Sequence, residues 1–341
     1  MGGFFLLLML GLAGMLIVFS EAAAAGAREG LTLFAEGVLP CLFPFMVCGH
    51  YISAAGLPRP LRNGRFARLL YSFVMAIICA VCGTPAGALI CAEEHVEGMD
   101  GTRASLLCAA LNQTGPLFVI GLLGGRMLGA EGLWPVLAAA HYLPCVIAAC
   151  VVGSHGNGSG SRDGPEPLRL FADSLSGAVS AVLRVGGTIV FFRVLISVFE
   201  ASGLLSGTDA AVRAALAGAF EMTNGLGMLT SVLPPTRLCC SGCAAMLTFG
   251  GACIFMQSKL FFPGLRALPY FALKTALAAV SFGIAYLLYP LAGGVAEAGA
   301  FPAGAGLWRR AGTAAGMLVC VAFSFAASLL YARLAVRRRN I

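Results

Sequence analysis

Long apolar runs separated by short polar or basic stretches extend along the whole chain. The runs lie near residues 4–20, 33–55, 69–91, 104–124, 133–152, 177–199, 210–233, 238–261, 270–291 and 311–332. Each approaches the roughly 20 residues that cross a ~30 Å hydrocarbon layer as an α-helix. The pattern therefore predicts an all-α polytopic membrane protein, with no stretch left for a separate soluble domain.

Composition agrees with a lipid environment. Of the 341 residues, 59% are hydrophobic and 11% are charged, and the mean hydropathy is +0.90, whereas soluble domains are nearer half apolar and a quarter charged. The run from Phe4 to Ser20 precedes Ala-rich sequence that resembles a signal-peptidase site. No Lys or Arg comes before it, so a retained first helix is favoured.

The net charge of +7 comes largely from arginines at the ends of apolar runs. One cluster spans Arg59 to Arg68 and another spans Arg333 to Arg339, and both are predicted to face the cytoplasm by the positive-inside rule. Lys259, Arg266 and Lys274 are assigned to the flanks of another cytoplasmic loop. This distribution argues against a nucleic-acid partner and makes the lipid bilayer the expected one.

The two halves of the chain show weak self-similarity in the same order. LTLFAEGV, starting at Leu31, resembles LRLFADSL, starting at Leu168. The stretch 154–167 is rich in Gly, Ser and Pro and is predicted to be a flexible linker. The predicted division is a first helix and loop at 1–30, a first repeat at 31–153, this linker, a second repeat at 168–292, and a final helix with a basic tail at 293–341.

Four apolar runs are interrupted by Gly or Pro next to polar residues. The interruptions are CGTPAG (82–87), LNQTGPLF (111–118), FEMTNG (220–225) and TFGGACIFMQ (248–257). Repeated interruptions at corresponding places are typical of secondary transporters and indicate the substrate site. The alternative is that the breaks only kink helices for packing.

Two of the interrupted runs, 69–91 and 210–233, are predicted to be re-entrant hairpins. The arms of the second run are about eleven residues, or roughly 16 Å of helix, which is too short to cross the bilayer. Eight crossings and two hairpins invert the second half relative to the first, so the breaks should meet at the midplane. Ten full crossings are the open alternative and would place the linker on the other side.

The polar residues at the breaks are the candidate site. In Thr84-Pro85 and Thr114-Gly115-Pro116 a hydroxyl residue precedes Pro, which predicts a capped half-helix whose amino end favours an anion. Glu221 is an intramembrane carboxylate, predicted to bind a coupling proton or cation, although a hairpin tip in an aqueous cavity would also explain it. The substrate-binding candidates are Thr84, Asn112, Gln113, Thr114, Thr223, Asn224 and Gln257.

No motif of a soluble enzyme occurs in the sequence. GxSxG, Walker A, HExxH and dinucleotide-binding patterns are absent, and the four His lack metal-ligand spacing. The CxxC spacings at Cys79 to Cys82 and Cys240 to Cys243 lie in predicted helices, where Cys commonly packs as a small apolar residue. We expect no enzymatic activity, no cofactor and no metal site.

The motifs together resemble the YlbJ family of sporulation integral membrane proteins, which belongs with proteins carrying the nucleoside-recognition or Gate domain. The resemblance runs from Leu31 to Gln257 and is carried by PCLFPFM, CGTPAGA, LNQTGPLFVIG, FEMTNGL and FGGACIFMQ. Thr84 departs from the family, which typically has an aromatic residue before the Pro. Gln113 and Thr114 stand where the family has a small polar pair.

The resemblance implies a multi-pass protein of the outer forespore membrane that moves dipicolinate, a small anionic substrate, toward the developing spore. A nucleoside or nucleobase transporter and a non-transporting membrane scaffold for spore assembly are the alternatives. The departures at Thr84, Gln113 and Thr114 bear mainly on substrate identity. Whether the chain forms a homo-oligomer is left open by the sequence.

Overall fold

A computed structural model describes residues 2–55, 64–153 and 167–292, and every regular element within them is helical. In chain order the α-helices are α1 (Gly2–Val18), α2 (Ser20–Thr32), α3 (Leu39–Ala55), α4 (Gly64–Cys82), α5 (Ala86–Val96), α6 (Gly101–Leu111), α7 (Trp134–Val152), α8 (Pro167–Ala201), α9 (Ala210–Phe220), α10 (Met222–Val232), α11 (Arg237–Phe249), α12 (Gly251–Phe261) and α13 (Ala267–Leu288). A π-helical turn, Leu33–Val38, joins α2 to α3, and a longer π-helix, Phe118–Met127, follows α6.

Among the described residues, five helical stretches are long and apolar enough to cross a membrane. They are Ser20–Ile52, Glu131–Val152, Pro167–Ala201, Arg237–Phe261 and Ala267–Ala292. This confirms the predicted polytopic all-α class. Residues 154–166 of the predicted linker (154–167), residues 56–63 of the first basic loop, and the final helix with its basic tail at 293–341 lie outside the described residues.

Helix α8 begins well before the apolar run that predicts it. Its first residue is Pro167, about ten residues before that run. Arg169 and Asp173 fall in this first part, which extends α8 to 35 residues. At 1.5 Å per residue such a helix is much longer than a ~30 Å hydrocarbon layer, so its polar first turns can stand outside the lipid.

All four predicted interruptions are real breaks between helices. The chain leaves helical geometry at 83–85, at 112–115, at Glu221 and at Gly250, whose φ of 79° is left-handed. In each half, a long helical stretch is therefore followed by two interrupted helices and then by one continuous helix. In the first half these are the stretch α2–α3, the interrupted pair α4 and α5, the interrupted pair α6 and its following π-helix, and α7. In the second half they are α8, the interrupted pairs α9/α10 and α11/α12, and α13.

Two arginines make the same contact in the two halves. The Nε of Arg103 donates to the carbonyl of Val152 at 2.9 Å, and the Nε of Arg237 donates to the carbonyl of Tyr286 at 2.6 Å. Both pairs are 49 residues apart in sequence. This match agrees with the predicted duplication, whereas the inversion of one half relative to the other stays a prediction.

Helices α9 and α10 fold back on each other at Glu221. A Cβ added to Gly225 would lie 2.2 Å from the Cα of Gly218 and 3.0 Å from the carbonyl oxygen of Ala214. The two helices can approach this closely only because residue 225 has no Cβ. The hairpin predicted for 210–233 is thus present as a local fold, while α5, in the other predicted hairpin, packs mainly against α6 rather than α4.

The long helices surround the interrupted ones. Helix α8 lies along α2 and α3, α13 lies along α11, and α7 contacts α4, α6 and α13. Large apolar side chains such as Leu183, Phe191 and Leu287 point outward and are exposed in the isolated chain. An outward apolar surface of this kind is expected for helices that face lipid. Polar side chains and non-helical backbone are expected inside the protein instead, because lipid offers them no hydrogen-bond partner.

Candidate functional site

Residues from the first three breaks and from α12 line one cavity, whose empty space is about 520 Å³ when the part open to the surroundings is included. About 30 Å³ of it is free for the centres of water-sized molecules, so a metabolite could bind only if the surrounding helices moved apart. The wall contributed by the breaks and α12 consists of Cys82, Gly83, Thr84, Thr114, Gly115, Glu221, Met222, Thr223, Cys253, Ile254 and Gln257. The apolar remainder is Val38, Cys41, Leu42, Phe45, Phe118 and Val185.

Five of the eight predicted site residues reach this cavity, namely Thr84, Thr114, Glu221, Thr223 and Gln257. Their hydroxyl, amide and carboxylate groups are set among two aromatic rings and several aliphatic side chains. A few polar groups on a mainly apolar wall are characteristic of small-molecule sites. The binding role of each side chain stays a prediction.

Glu221 lies at the tip of the α9/α10 hairpin and is 4% exposed. Its backbone is extended, and its carboxylate accepts hydrogen bonds from the amides of Thr223, at 3.0 Å, and Asn224, at 2.7 Å. The carboxylate therefore caps α10 at the positive end of the helix dipole. In the described part of the chain, no Lys, Arg or His lies within salt-bridge distance of it.

The predicted threonine caps are wrong. The residue before α5 is Pro85, not Thr84, and no side chain caps this helix. The helix after α6 resumes at Pro116, and the hydroxyl of Thr114 donates instead to the sulfur of Met222 at 3.7 Å. The backbone thus places both hydroxyls at the cavity without using either as a cap.

Gln257 is anchored by its amide nitrogen. Nε2 donates to the hydroxyl of Thr188, on α8, at 2.8 Å and to the sulfur of Cys253 at 3.0 Å. Thr188 in turn donates to the carbonyls of its own helix. These contacts hold α12 against α8 and fix the position of the Gln257 side chain at the cavity wall.

The other three predicted residues are buried behind the cavity wall. Asn112 donates to the hydroxyl of Ser258, Gln113 donates to the carbonyl of Ala110 at 3.0 Å, and Asn224 donates to the carbonyl of Ile189 at 3.1 Å. Each of the three amides leaves its side-chain oxygen buried without a hydrogen-bond donor. The contacts of Asn112 and Asn224 join broken helices to neighbouring helices, whereas the contact of Gln113 stays within its own segment.

Lys274 was assigned to a loop flank from sequence, and the structure corrects this assignment. The side chain is on α13, is 1% exposed, and donates to the carbonyls of Asn112, at 2.7 Å, and Thr248, at 3.0 Å. Lys274 thus bridges the breaks that follow α6 and α11. Its position inside the apolar run 270–291 is the signal that could have revealed it, because an isolated lysine in such a run is costly.

His141, on α7, connects the same two breaks. Its Nε2 accepts from the amide of Thr114 at 3.1 Å, so in the neutral ring Nδ1 carries the proton and donates to the hydroxyl of Thr248 at 3.0 Å. Thr248 then donates to Ser281 at 2.9 Å, and Ser281 donates to the carbonyl of Ala244 at 3.1 Å. This buried chain of hydrogen bonds fixes the geometry of the cavity wall at Thr114. The sequence did not reveal the role of His141, because the four His residues lack the spacing of metal ligands.

None of the three arginines of α8 lies at the cavity. Arg193 pairs with Glu29 on α2, and Arg184 lies over the ring of Phe261, 5.8 Å from its centre. The residues that line the cavity include one carboxylate and no basic side chain. A bound anion would therefore meet Glu221 without a neighbouring arginine or lysine in the wall.

Comparison with known proteins supports the resemblance seen in the motifs. The chain is similar to the sporulation integral membrane protein YlbJ of Bacillus subtilis (strain 168). The two are 25% identical over 232 residues, which is 57% of this chain and 57% of the length of that relative. No family model and no solved structure matches the chain. The similarity and the apolar helices support a multi-pass membrane protein related to this sporulation protein.

Proposed function

We propose that the chain is a transporter that moves a small, flat, polar metabolite through the cavity where its helix breaks meet. The observation that carries the proposal is the convergence of Thr84, Thr114, Glu221 and Gln257, from four separate interrupted segments, on one cavity. Interrupted helices around a central polar site are the arrangement by which secondary transporters bind their substrates.

Dipicolinate in the outer forespore membrane is the first candidate for substrate and location, through the relationship to the sporulation protein. The flat ring suits the apolar wall at Phe45 and Phe118, and hydroxyl groups are available to its carboxylates. The charge of Glu221 opposes a dianion. We therefore propose that a proton binds Glu221 when dipicolinate binds, which would remove the repulsion and couple the two movements.

A nucleoside or nucleobase is the second candidate, because the cavity has one carboxylate and no basic side chain in its wall. An uncharged ring with hydroxyl and amino groups would donate hydrogen bonds to Glu221 and accept them from the threonine hydroxyls. This substrate would not require a protonated Glu221. The two candidates are thus distinguished by the protonation state that each needs.

Uptake into proteoliposomes tests the proposal. The purified chain should accumulate labelled dipicolinate faster than protein-free liposomes when an inward proton gradient is imposed, with no requirement for sodium. Uptake of nucleosides in preference to dipicolinate, with little dependence on the proton gradient, would favour the second candidate. If neither class of compound enters these proteoliposomes faster than it enters protein-free liposomes, the transporter proposal fails and a non-transporting scaffold role is favoured.

A matched pair of threonine variants tests the cavity itself. Thr223→Val removes a hydroxyl from the cavity wall, whereas Thr230→Val removes one on the same helix that bonds to its own backbone. We expect Thr223→Val to raise the apparent KM roughly 2- to 10-fold, the effect of one hydrogen bond, and Thr230→Val to leave KM unchanged. Equal effects of both variants on uptake would count against this cavity as the substrate site.

A further inference from the structure

Lys274 is a buried cation that has main-chain carbonyls as its partners. The ammonium group donates to the carbonyl oxygens of Asn112 and Thr248, which belong to the two interrupted helices, and the side chain is 1% exposed. In the part of the chain that the structure describes, no carboxylate lies within 4 Å of it. The charge must therefore be balanced by something other than an acid.

The backbone supplies the balancing charge. Asn112 directly follows the last residue of α6, and Thr248 lies in the last turn of α11. Each helix carboxyl end carries about half a negative charge, so the two together offset about one unit. The side-chain oxygen of Asn112 is also buried and has no donor. The hydrogen-bond acceptors of the ammonium group are thus two main-chain carbonyl oxygens at helix carboxyl ends.

Oxygen acceptors of this kind are the ligands of a monovalent metal cation. In transporters with interrupted helices, unwound carbonyls and the carboxyl ends of half-helices coordinate sodium. We propose that the crossing of the two interrupted helices is a monovalent-cation site, and that the ammonium group of Lys274 fills it as a tethered cation. The native chain then needs no free cation here, and removal of the side chain should create a site for one.

Thermal denaturation in detergent tests this inference without any transport measurement, so its failure is distinct from a failure of the proposed function. Lys274→Ala is compared with the native chain in sodium, potassium, methylammonium and choline chloride at equal ionic strength. The variant should melt lowest in choline, which is too large for the site. At least one small cation should raise its Tm saturably, by roughly 2 °C or more, as expected for a ligand that binds only the folded state.

Two further variants serve as controls. Lys259 also donates to a main-chain carbonyl, that of Leu265 at 2.8 Å, but it is exposed, so Lys259→Ala should show no cation-specific change in Tm. Lys274→Met fills the space without a charge and should melt lower than the native chain in all four salts, with no difference among them.

The inference is overturned if the Tm of Lys274→Ala is the same in all four salts. It is also overturned if the native chain or Lys259→Ala shows the same cation-specific rise. Should Lys274→Ala fail to fold in every salt, including methylammonium, no cation can replace the ammonium group and the inference is equally rejected.

Discussion

At the scale of single residues, Glu221 has two roles that can be separated by experiment. Its carboxylate caps α10, and it also lies in the cavity wall. Glu221→Gln keeps the shape and an oxygen acceptor for the cap while removing the charge. We expect the variant to fold and to equilibrate substrate across proteoliposome membranes, but to lose at least tenfold in gradient-driven accumulation, because an amide cannot carry the coupling proton.

Asp209 offers a matched control for this prediction. It caps α9 at the other end of the same hairpin, accepting from the amide of Ala211 at 2.8 Å, and it is exposed. Asp209→Asn makes the same chemical change outside the cavity and should leave accumulation intact, since Asn caps about as well as Asp. If Glu221→Gln accumulates substrate to the native level, Glu221 is only a cap and the coupling role is lost.

At the scale of elements, the α9/α10 hairpin depends on the contact between Gly218 and Gly225. A Cβ on Gly225 would meet backbone atoms that cannot move aside, whereas a Cβ on Gly227, in the same helix, would meet nothing within 4 Å. Gly225→Ala should therefore destabilise the protein by about 1–3 kcal/mol, as overpacking does. The measurement is the Tm in detergent.

Gly227→Ala is the control and should be neutral or stabilising by up to about 1 kcal/mol, because Ala favours helix over Gly. The pair also tests the link between hairpin and site, since Glu221 lies between the two arms. Substrate affinity should fall with Gly225→Ala and stay unchanged with Gly227→Ala. Similar Tm values for the two variants would show that the arms are not held by this contact.

At the scale of the whole molecule, the number of crossings determines on which side of the membrane each loop lies. Two re-entrant hairpins place Ser159 in the cytoplasm and Ser206, beyond α8, outside, and ten full crossings reverse both. Pro263 is cytoplasmic in either arrangement. We expect Ser206→Cys, but not Ser159→Cys or Pro263→Cys, to gain labelling by an impermeant maleimide over the native chain in intact cells.

The opposite pattern, with Ser159→Cys labelled and Ser206→Cys protected, would replace the hairpins by full crossings. Lysed cells provide the control that each introduced thiol can react. The native cysteines give a constant background, because most of those described are buried. This measurement tests the predicted inversion of the two halves, because it reports the side of the membrane on which each loop lies.

The sequence by itself determined the helical membrane class and the positions of the four breaks. Both follow from local chemistry, since lipid requires apolar helices and Gly or Pro interrupts a helix within a turn. The same local logic identified Thr84, Thr114, Glu221 and Gln257 as residues at breaks, and these four lie at one cavity. It failed for the threonine caps, because the exact residue that starts a helix depends on how the preceding segment is held.

Only the tertiary structure decided how the breaks are joined. Lys274 contacts Asn112 from 162 residues away, and His141 contacts Thr248 from 107 residues away. No local pattern encodes such partners, because they are set by which helices pack together and in what register. For the same reason the sequence placed Lys274 at a loop, where a lysine costs little, while the fold buries it against two helix ends whose carbonyls balance its charge.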